Sequence, residues 1–462
     1  MDVIRLVETK ILLVAEEILK VLDGGVDFLN FEVQLKKEMD NLGCELLKIV
    51  IEELEKQIFE SKERKHSWKS VHKADEKELL TLFGTVRYQR RYYRHKKTNE
   101  YRYLVDEKIG VTPHTRVSAN LKAELLEASS EMSYERATLQ LSRHNADLKV
   151  SKQTVANSVK QFRTGETPLP KEKRCVSELY LEADEDHVNI RGAKDKEARL
   201  IYVHEGVTGQ QRRSLKNVRY FTTVNKKPED FWLEVCDYIE SHYDFPSIKK
   251  VFLSGDGSSW IRAGLQYIPG SIFVLDKFHL SEYITQATAH APELKKQIYK
   301  GSWSLNKQAV LGWLREALER ADEPPRRKRI QNTIRYIDNN WDGIKAQVKY
   351  PHVTCSAEGH VSHILAARLS SRPMAWSVTG AEQMSSMRST RANKESISKH
   401  YLSMQKTAPV ITELKQAVQQ ELKRVQQRKL TGMEYFNNVP LFKGGSNLTR
   451  SALRKLNERC VV

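Results

Sequence analysis

The stretch KKVFLSGDG (249–257) constrains the fold most. Its centre is almost continuously apolar, and it stops at Gly-Asp-Gly. A strand with no polar alternation must be covered on both faces, as an inner strand of an α/β sheet is. SIFVLDKFH (271–279) repeats the pattern after the helical text SSWIRAGLQYI, and it ends at Asp276. Upstream, ELYLEADEDHVNIR (178–191), ARLIYVHEGV (198–207) and VRYFTTV (218–224) read as strands. FWLEVCDYIESHYDF (231–245) reads as a helix with Phe231, Trp232, Val235 and Ile239 on one side. The expected order is three strands, helix, strand, helix, strand.

Two carboxylates stand where these strands meet solvent: Asp184 on or just after the first strand, and Asp256 at the tip of the fourth. Open α/β sheets bind ligands in such a crevice. Paired carboxylates offer hard oxygen ligands suited to Mg²⁺ or Mn²⁺. Two such ions can activate water or a 3′-hydroxyl and stabilise the oxygen leaving phosphorus. That chemistry needs a third acid, and Glu358 is the best candidate. Ser356 would cap a helix burying Val361, Leu365 and Leu369 and ending before Pro373, with Glu358 in its anion-favouring first turn. Plain alternatives stay open, because acids at element ends are commonly caps or solvated groups. Asp186 competes with Asp184, since residues two apart on a strand share a face. Asp276 and His279 suit a supporting role or a helix cap. Cys355, His360 and His363 suggest zinc, but no second cysteine lies near them.

Charge locates the remaining features. The 462 residues carry +17, yet over residues 1–80 acids outnumber bases 18 to 13. Apolar residues there recur at spacings of three and four, from Ile11 to Leu22 and from Leu42 to Leu54. This pattern predicts one or two long amphipathic helices and a possible self-association surface. The balance then reverses in RYQRRYYRHKK (87–97), where Arg87, Arg90, Arg91, Arg94, Lys96 and Lys97 face no acid. A hairpin turning near Thr98–Asn99 would lay these cations along phosphates while its tyrosines pack or stack. A solvated ribbon is the bland alternative. Next come three helical pieces: Ser118–Ser129, one capped by Ser133, and one capped by Ser151 that carries Val155 and Val159. Val150 would be buried just before the last. Lys152, Gln153, Thr154 and Asn157 would face outward, as on the recognition helix of a helix-turn-helix. The five scattered cysteines favour a reducing compartment. No run of eighteen apolar residues predicts a membrane span, and the N-terminus does not read as a signal peptide.

YLEADEDHV, then GDGSSWIRAGLQYIPGSIFVLDKFHLSEYI and CSAEGHVSHILAARLSSRPMAWS, resemble the ISLre-type bacterial insertion-sequence transposases. More broadly they are similar to the Mutator-like transposases. The likeness includes TLFGTVRYQRRYY, LVDEKIGV and the SYERA…VSKQTV helix pair, and so covers nearly the whole chain. It implies an α/β, ribonuclease-H-like catalytic domain with a helical insertion, preceded by a mainly helical DNA-binding region. The expected parts are 1–80 (acidic helices), 81–163 (hairpin and helix-turn-helix), 164–174 (linker), 175–280 and 351–400 (catalytic domain), 281–350 (basic helical insertion) and 401–462 (basic helical tail). The resemblance also implies a DDE enzyme whose metal ligands are Asp184, Asp256 and Glu358, holding two Mg²⁺ or Mn²⁺ ions. Asp276, His279 and Asp186 would support them, and Arg372 and Trp376 would contact DNA or shape the site. The implied partner is double-stranded DNA, handled by a homo-oligomer in the bacterial cytoplasm near the nucleoid. The implied reaction is cleavage at transposon ends followed by strand transfer. One departure is Asn393-Lys394, where close relatives would have Asn-Gly.

Overall fold

A computed structural model describes residues 3–405, except 24–26, 146, 166, 193, 195 and 210–213. The tail from 406, including most of the expected basic helices, lies outside the described residues. The chain divides into two compact units. Of the described residues, one holds those in 3–124, 138–150 and 402–405; the other holds those in 125–137 and 151–401. The division therefore passes through the three helical pieces and not through 164–174, where the Pro- and Gly-bearing linker predicted it.

In the first unit, two helices, Val3–Leu22 and Phe28–Glu60, fulfil the amphipathic pattern. Asp27 caps the second by accepting the Asn30 N–H at 2.8 Å. The region to residue 80 is not all helical, because Trp68–Thr81 forms a long strand, β1. It pairs antiparallel with β2, Gly84–His95, which pairs with the short β3, Tyr101–Arg102. Asn99, with φ of 58°, makes the turn at the predicted place. Ile51 and Leu54 of the long helix pack on Leu79, Val86 and Tyr88 of the sheet.

The second unit is built on a mixed five-stranded sheet. Its strands are β4 (Glu178–Val188), β5 (Lys196–His204), β8 (Arg219–Thr223), β9 (Lys250–Gly255) and β10 (Ile272–Leu275); β6 (Val207–Thr208) and β7 (Ser214–Leu215) form a separate small ribbon. The sheet order is β10-β9-β4-β5-β8. β5 runs antiparallel to both β4 and β8, and β9 and β10 run parallel to β4. The predicted order of elements is the order found, with helices Pro228–His242 and Ser259–Tyr267 in the predicted places. The core contains Leu179, Leu181, Ile201, Val203, Trp232 and Leu253. Four helices between Pro292 and Lys349 fill the expected insertion. No helix among the described residues is long and apolar enough to cross a membrane.

The Asn393-Lys394 departure has a backbone reason to matter. Lys394 has φ of 61°, the left-handed region that costs a side-chain-bearing residue about 1 kcal/mol. Asn393 holds β8 from beside it, accepting the Tyr220 N–H at 2.8 Å and donating to the Tyr220 carbonyl at 3.0 Å. Lys394→Gly is expected to stabilise the protein by up to about 1 kcal/mol, read as a higher urea midpoint. An unchanged midpoint would show that the turn carries no strain.

A candidate metal centre at the end of the sheet

The parallel strands end in register. Glu182 of β4 pairs with Ser254 of β9, and Leu275 of β10 pairs with Gly255. Continuing those registers sets Asp184, Asp256 and Asp276 in one row across three neighbouring strands. Asp184 lies within β4 itself, so the acidic patch belongs to the strand and does not follow it. Two glycines shape the Asp256 tip. A Cβ on Gly255 would come within 2.8 Å of the Ala183 carbonyl, forcing β9 away from β4. Gly257 has φ of 89°, and its Cβ would meet the Asn340 amide at 2.4 Å. Asp256 Oδ1 accepts the Ser258 N–H at 2.8 Å.

The third acid arrives from far along the chain. Helix Ala357–Val361 places Glu358 in its first turn, then widens into a π-helical turn, Ser362–Ala366. Arg388 donates to carbonyls of that turn, to Ile364 at 2.8 Å and His363 at 2.6 Å. Such turns concentrate at functional sites. Val361, Leu365 and Leu369 are buried as the pattern predicted.

The structure brings Asp184, His279 and Glu358 together, with one ligand-capable atom from each lying within 4.8 Å of the others. Asp256 is not a member of that trio, although it is near enough for its charge to act on both Asp184 and His279. Among the described residues the group within ligand distance is thus two acids and a histidine, with Asp256 alongside. Burial pushes the Asp184 carboxyl up to about 7; its bond from the Glu185 N–H and the His279 charge pull down, while the Asp256 and Glu358 charges push further up. Its Oδ2 is buried with no hydrogen-bond partner. A carboxylate oxygen left in that state, facing a histidine and a second carboxylate, fits a divalent cation. His279 is held by Asp276, whose Oδ2 lies 2.7 Å from Nδ1. That bond raises the imidazole to about 9 against the opposing effect of burial, with help from the Asp276, Asp184 and Asp256 charges. Asp276 also caps the helix Lys277–Ala287 through the Phe278 N–H at 3.2 Å.

The other acids of β4 have separate employment. Asp186 accepts from Ser370 Oγ at 2.7 Å and does not join the trio. Glu185, on the opposite face, accepts from the Trp260 indole. Glu182, only 2% exposed, was not singled out from sequence. The signal was present, because acids at 182, 184 and 186 on one face of a buried strand cannot all be solvated. Cys355, His360 and His363 form no metal group among the described residues. His360 Nδ1 lies 3.0 Å from Tyr220 Oη, burial drives the Cys355 thiol up, and His363 is exposed.

The expected DNA-contacting cations fare unequally. Across the β1–β2 register Arg87 meets Glu78 at 3.0 Å. Arg90 pairs with Asp106 inside the first unit, Arg91 lies 3.6 Å from Glu55, and Lys96 donates to the Lys65 carbonyl at 2.6 Å. Half of the acid-free run, Arg87, Arg90 and Arg91, is therefore met by acids brought in from other segments. Tyr88 and Tyr93 are buried, with their hydroxyls on Asp106 and Glu55, while Tyr92 stacks on Tyr101. Arg94 and Lys97 are exposed and pair with no carboxylate among the described residues. If this ribbon binds duplex DNA, Arg94→Ala and Lys97→Ala should each flatten the log–log salt dependence of affinity by about 0.9. Arg87→Ala should leave that slope nearly unchanged in the same filter-binding series.

The helical pieces form as Ala119–Ser129, Tyr134–His144 and Lys152–Gln161, with Ser133 and Ser151 accepting the Arg136 and Thr154 N–H groups. Leu148, not Val150, is the fully buried residue before the third. Val155 and Val159 are buried, and the third helix packs on helix Val378–Ala392. Lys152, Gln153 and Asn157 are exposed and Thr154 is half-buried. Arg372 is exposed beside Ser370, while Trp376 is buried and donates its indole N–H to the Leu369 carbonyl at 3.0 Å.

Comparison with known proteins places the chain. The model of an uncharacterised protein family, UPF0236, matches residues 21–406. This chain belongs to the UPF0236 family. It is 38% identical over 380 residues to UPF0236 protein TTE2489 of Caldanaerobacter subterraneus subsp. tengcongensis, covering 81% of each chain. UPF0236 protein TTE0402 of the same organism is also 38% identical, over 81% of this chain and 76% of its own. A UPF0236 protein in the vanSb 3′ region of Streptococcus gallolyticus is 24% identical, over 80% and 84%. The UPF0236 match spans every residue of the trio.

Proposed function

We propose that this UPF0236 protein is a metal-dependent DDE transposase of an insertion sequence, with a ribonuclease-H-like catalytic unit that cuts and joins DNA at the element's ends. The observation that carries the reading is the meeting of Asp184, His279 and Glu358 around a buried carboxylate oxygen with no donor. The order of three antiparallel strands followed by two parallel ones supports the proposed fold. The name of one relative gathers eleven loci of a single genome, as expected of a sequence that copies itself.

In this reading Asp184 and Glu358 hold a divalent ion, Mg²⁺ or Mn²⁺, with His279 in reach and Asp256 beside it to share a second. Ions so held supply Lewis acidity to a phosphodiester and its attacking oxygen. Asp276 fixes the His279 ring through Nδ1, leaving Nε2 free for the site. Arg94, Lys97 and the exposed face of Lys152–Gln161 offer contacts to duplex DNA, and the first helices offer a surface for a second copy of the chain.

The test is incubation with DNA carrying the repeats that flank the gene, plus a plasmid target and Mg²⁺. Expected are nicks at the repeat ends and joined products, both lost with Asp256→Asn. End binding without cleavage would point to an inactive DNA-binding relative that represses. Cutting without joining would point to a nuclease or resolvase. Absence of end-specific binding would overturn the proposal.

A further inference from the structure

Two residues before Asp184, on the same face of β4, Glu182 is enclosed by donors. His204 Nε2 lies 3.0 Å from its Oε1, and the Tyr202 hydroxyl, the Ser356 backbone N–H and Ser356 Oγ (3.3 Å) all reach its Oε2. Facing a carboxylate, His204 Nε2 carries the proton it donates to Glu182, while Nδ1 lies 3.1 Å from the Gly206 nitrogen and 3.3 Å from its carbonyl oxygen. Tyr202 Oη and Ser356 Oγ lie 3.0 Å from each other, closing the ring of contacts. Both Glu182 oxygens are engaged by donors, in contrast to Asp184 with its unpartnered Oδ2.

Ser356 stands at the N-cap of the helix carrying Glu358, yet its side chain makes no capping bond. Its N–H and hydroxyl are both turned to Glu182. The His360 ring, one turn beyond, packs 4.7 Å from the Tyr202 ring and bonds Tyr220 at 3.0 Å. The helix head is therefore attached to the sheet through Glu182 and its two strand partners. Resting on the metal-site reading above, we propose that Glu182 is the positioning residue of this centre, a buried carboxylate that fixes the Glu358 helix against the strand bearing Asp184. The same strand then carries both the ligand and the anchor for the opposing ligand, so the separation of Asp184 and Glu358 is set over two residues of β4. Outer partners of this kind typically govern metal affinity by about 10- to 100-fold.

Glu182→Gln keeps the shape but turns an amide NH₂ toward donors, either His204 at the Oε1 position or Tyr202 and Ser356 at the Oε2 position. Two measurements on the full chain decide the proposal. Hydrogen exchange by mass spectrometry, without metal, should show faster exchange in peptides covering 353–361 and unchanged exchange across the Asp256 loop. Mn²⁺ titration well below the melting temperature should show at least about a tenfold weaker dissociation constant. Val203→Ala, a buried cavity variant on β5, serves as the equally destabilised control and should bind Mn²⁺ as the wild type does. If Glu182→Gln does not fold, Tyr202→Phe with Ser356→Ala removes two donors and should show the same pattern more weakly. Unchanged exchange over 353–361 in the variant that folds would overturn the proposal. A wild type that binds no Mn²⁺ would sink the metal reading alone, while the exchange measurement would still decide whether Glu182 holds the helix.

Discussion

Asp184→Asn is expected to raise the stability of the ion-free protein at pH 8 while abolishing its response to Mn²⁺. Burial holds the Asp184 carboxyl at about 7, whereas in the unfolded chain it ionises near pH 4. A group raised in the fold contributes stability in full below its unfolded value and loses it as pH climbs through its folded value. The loss therefore falls between about pH 4 and 7 and amounts to roughly 4 kcal/mol for a shift of that size. Asparagine has nothing to ionise, so the variant should melt several degrees above the wild type at pH 8. The difference should close toward pH 4. A bound cation favours the ionised form, so wild-type Mn²⁺ affinity should weaken as pH falls below 7, and the variant should show no Mn²⁺-induced rise in melting temperature. Calorimetric scans at pH 4, 6 and 8, with and without Mn²⁺, read both effects. Equal melting of the two proteins at pH 8 would remove the buried-anion argument. A preserved Mn²⁺ response would remove Asp184 from the site.

Arg90→Ala should unfold the first unit far more readily, and its effect should be on stability before DNA affinity. The Arg90 and Asp106 side chains are 13% and 7% exposed and form an ion pair. The guanidinium also lies 3.5 Å over the Tyr103 ring, and Tyr88 donates to the other Asp106 oxygen at 2.7 Å. Truncating Arg90 strands a buried carboxylate with one neutral donor, a change that typically costs about 3–5 kcal/mol. Lysine should rescue little, because an ammonium cannot keep both the planar stack and the pair. Lys97→Ala, at an exposed head without a carboxylate, should stay within about 0.5 kcal/mol of the wild type. Urea denaturation followed by circular dichroism separates the three. An Arg90→Ala midpoint matching that of Lys97→Ala would return Arg90 to the surface, where charge alone had put it.

These two residues mark the reach of sequence reading. Asp184 was legible because a carboxylate at the end of a strand beside a buried one lies where open α/β sheets bind their ligands. The β9 and β10 strands were legible from their pattern, since an uninterrupted apolar run admits few environments. Arg90 was misjudged because a run of cations looks free until its partners are known. Those partners, Asp106 for Arg90 and Glu55 for Arg91, lie on separate elements. His279 was placed near the site by its position at the end of a buried strand and by the family resemblance, but neither could show that it shares ligand distance with Asp184 and Glu358.

By itself the sequence determined which side chains can do chemistry and which strands must be covered, because composition and periodicity are local properties. Tertiary structure alone decided how each acid is spent. It gave Glu182 four donors, Asp184 none for its second oxygen, and Asp186 a serine. Hydrogen bonding and desolvation act over a few ångströms, and only folding brings residue 356 within that distance of residue 182.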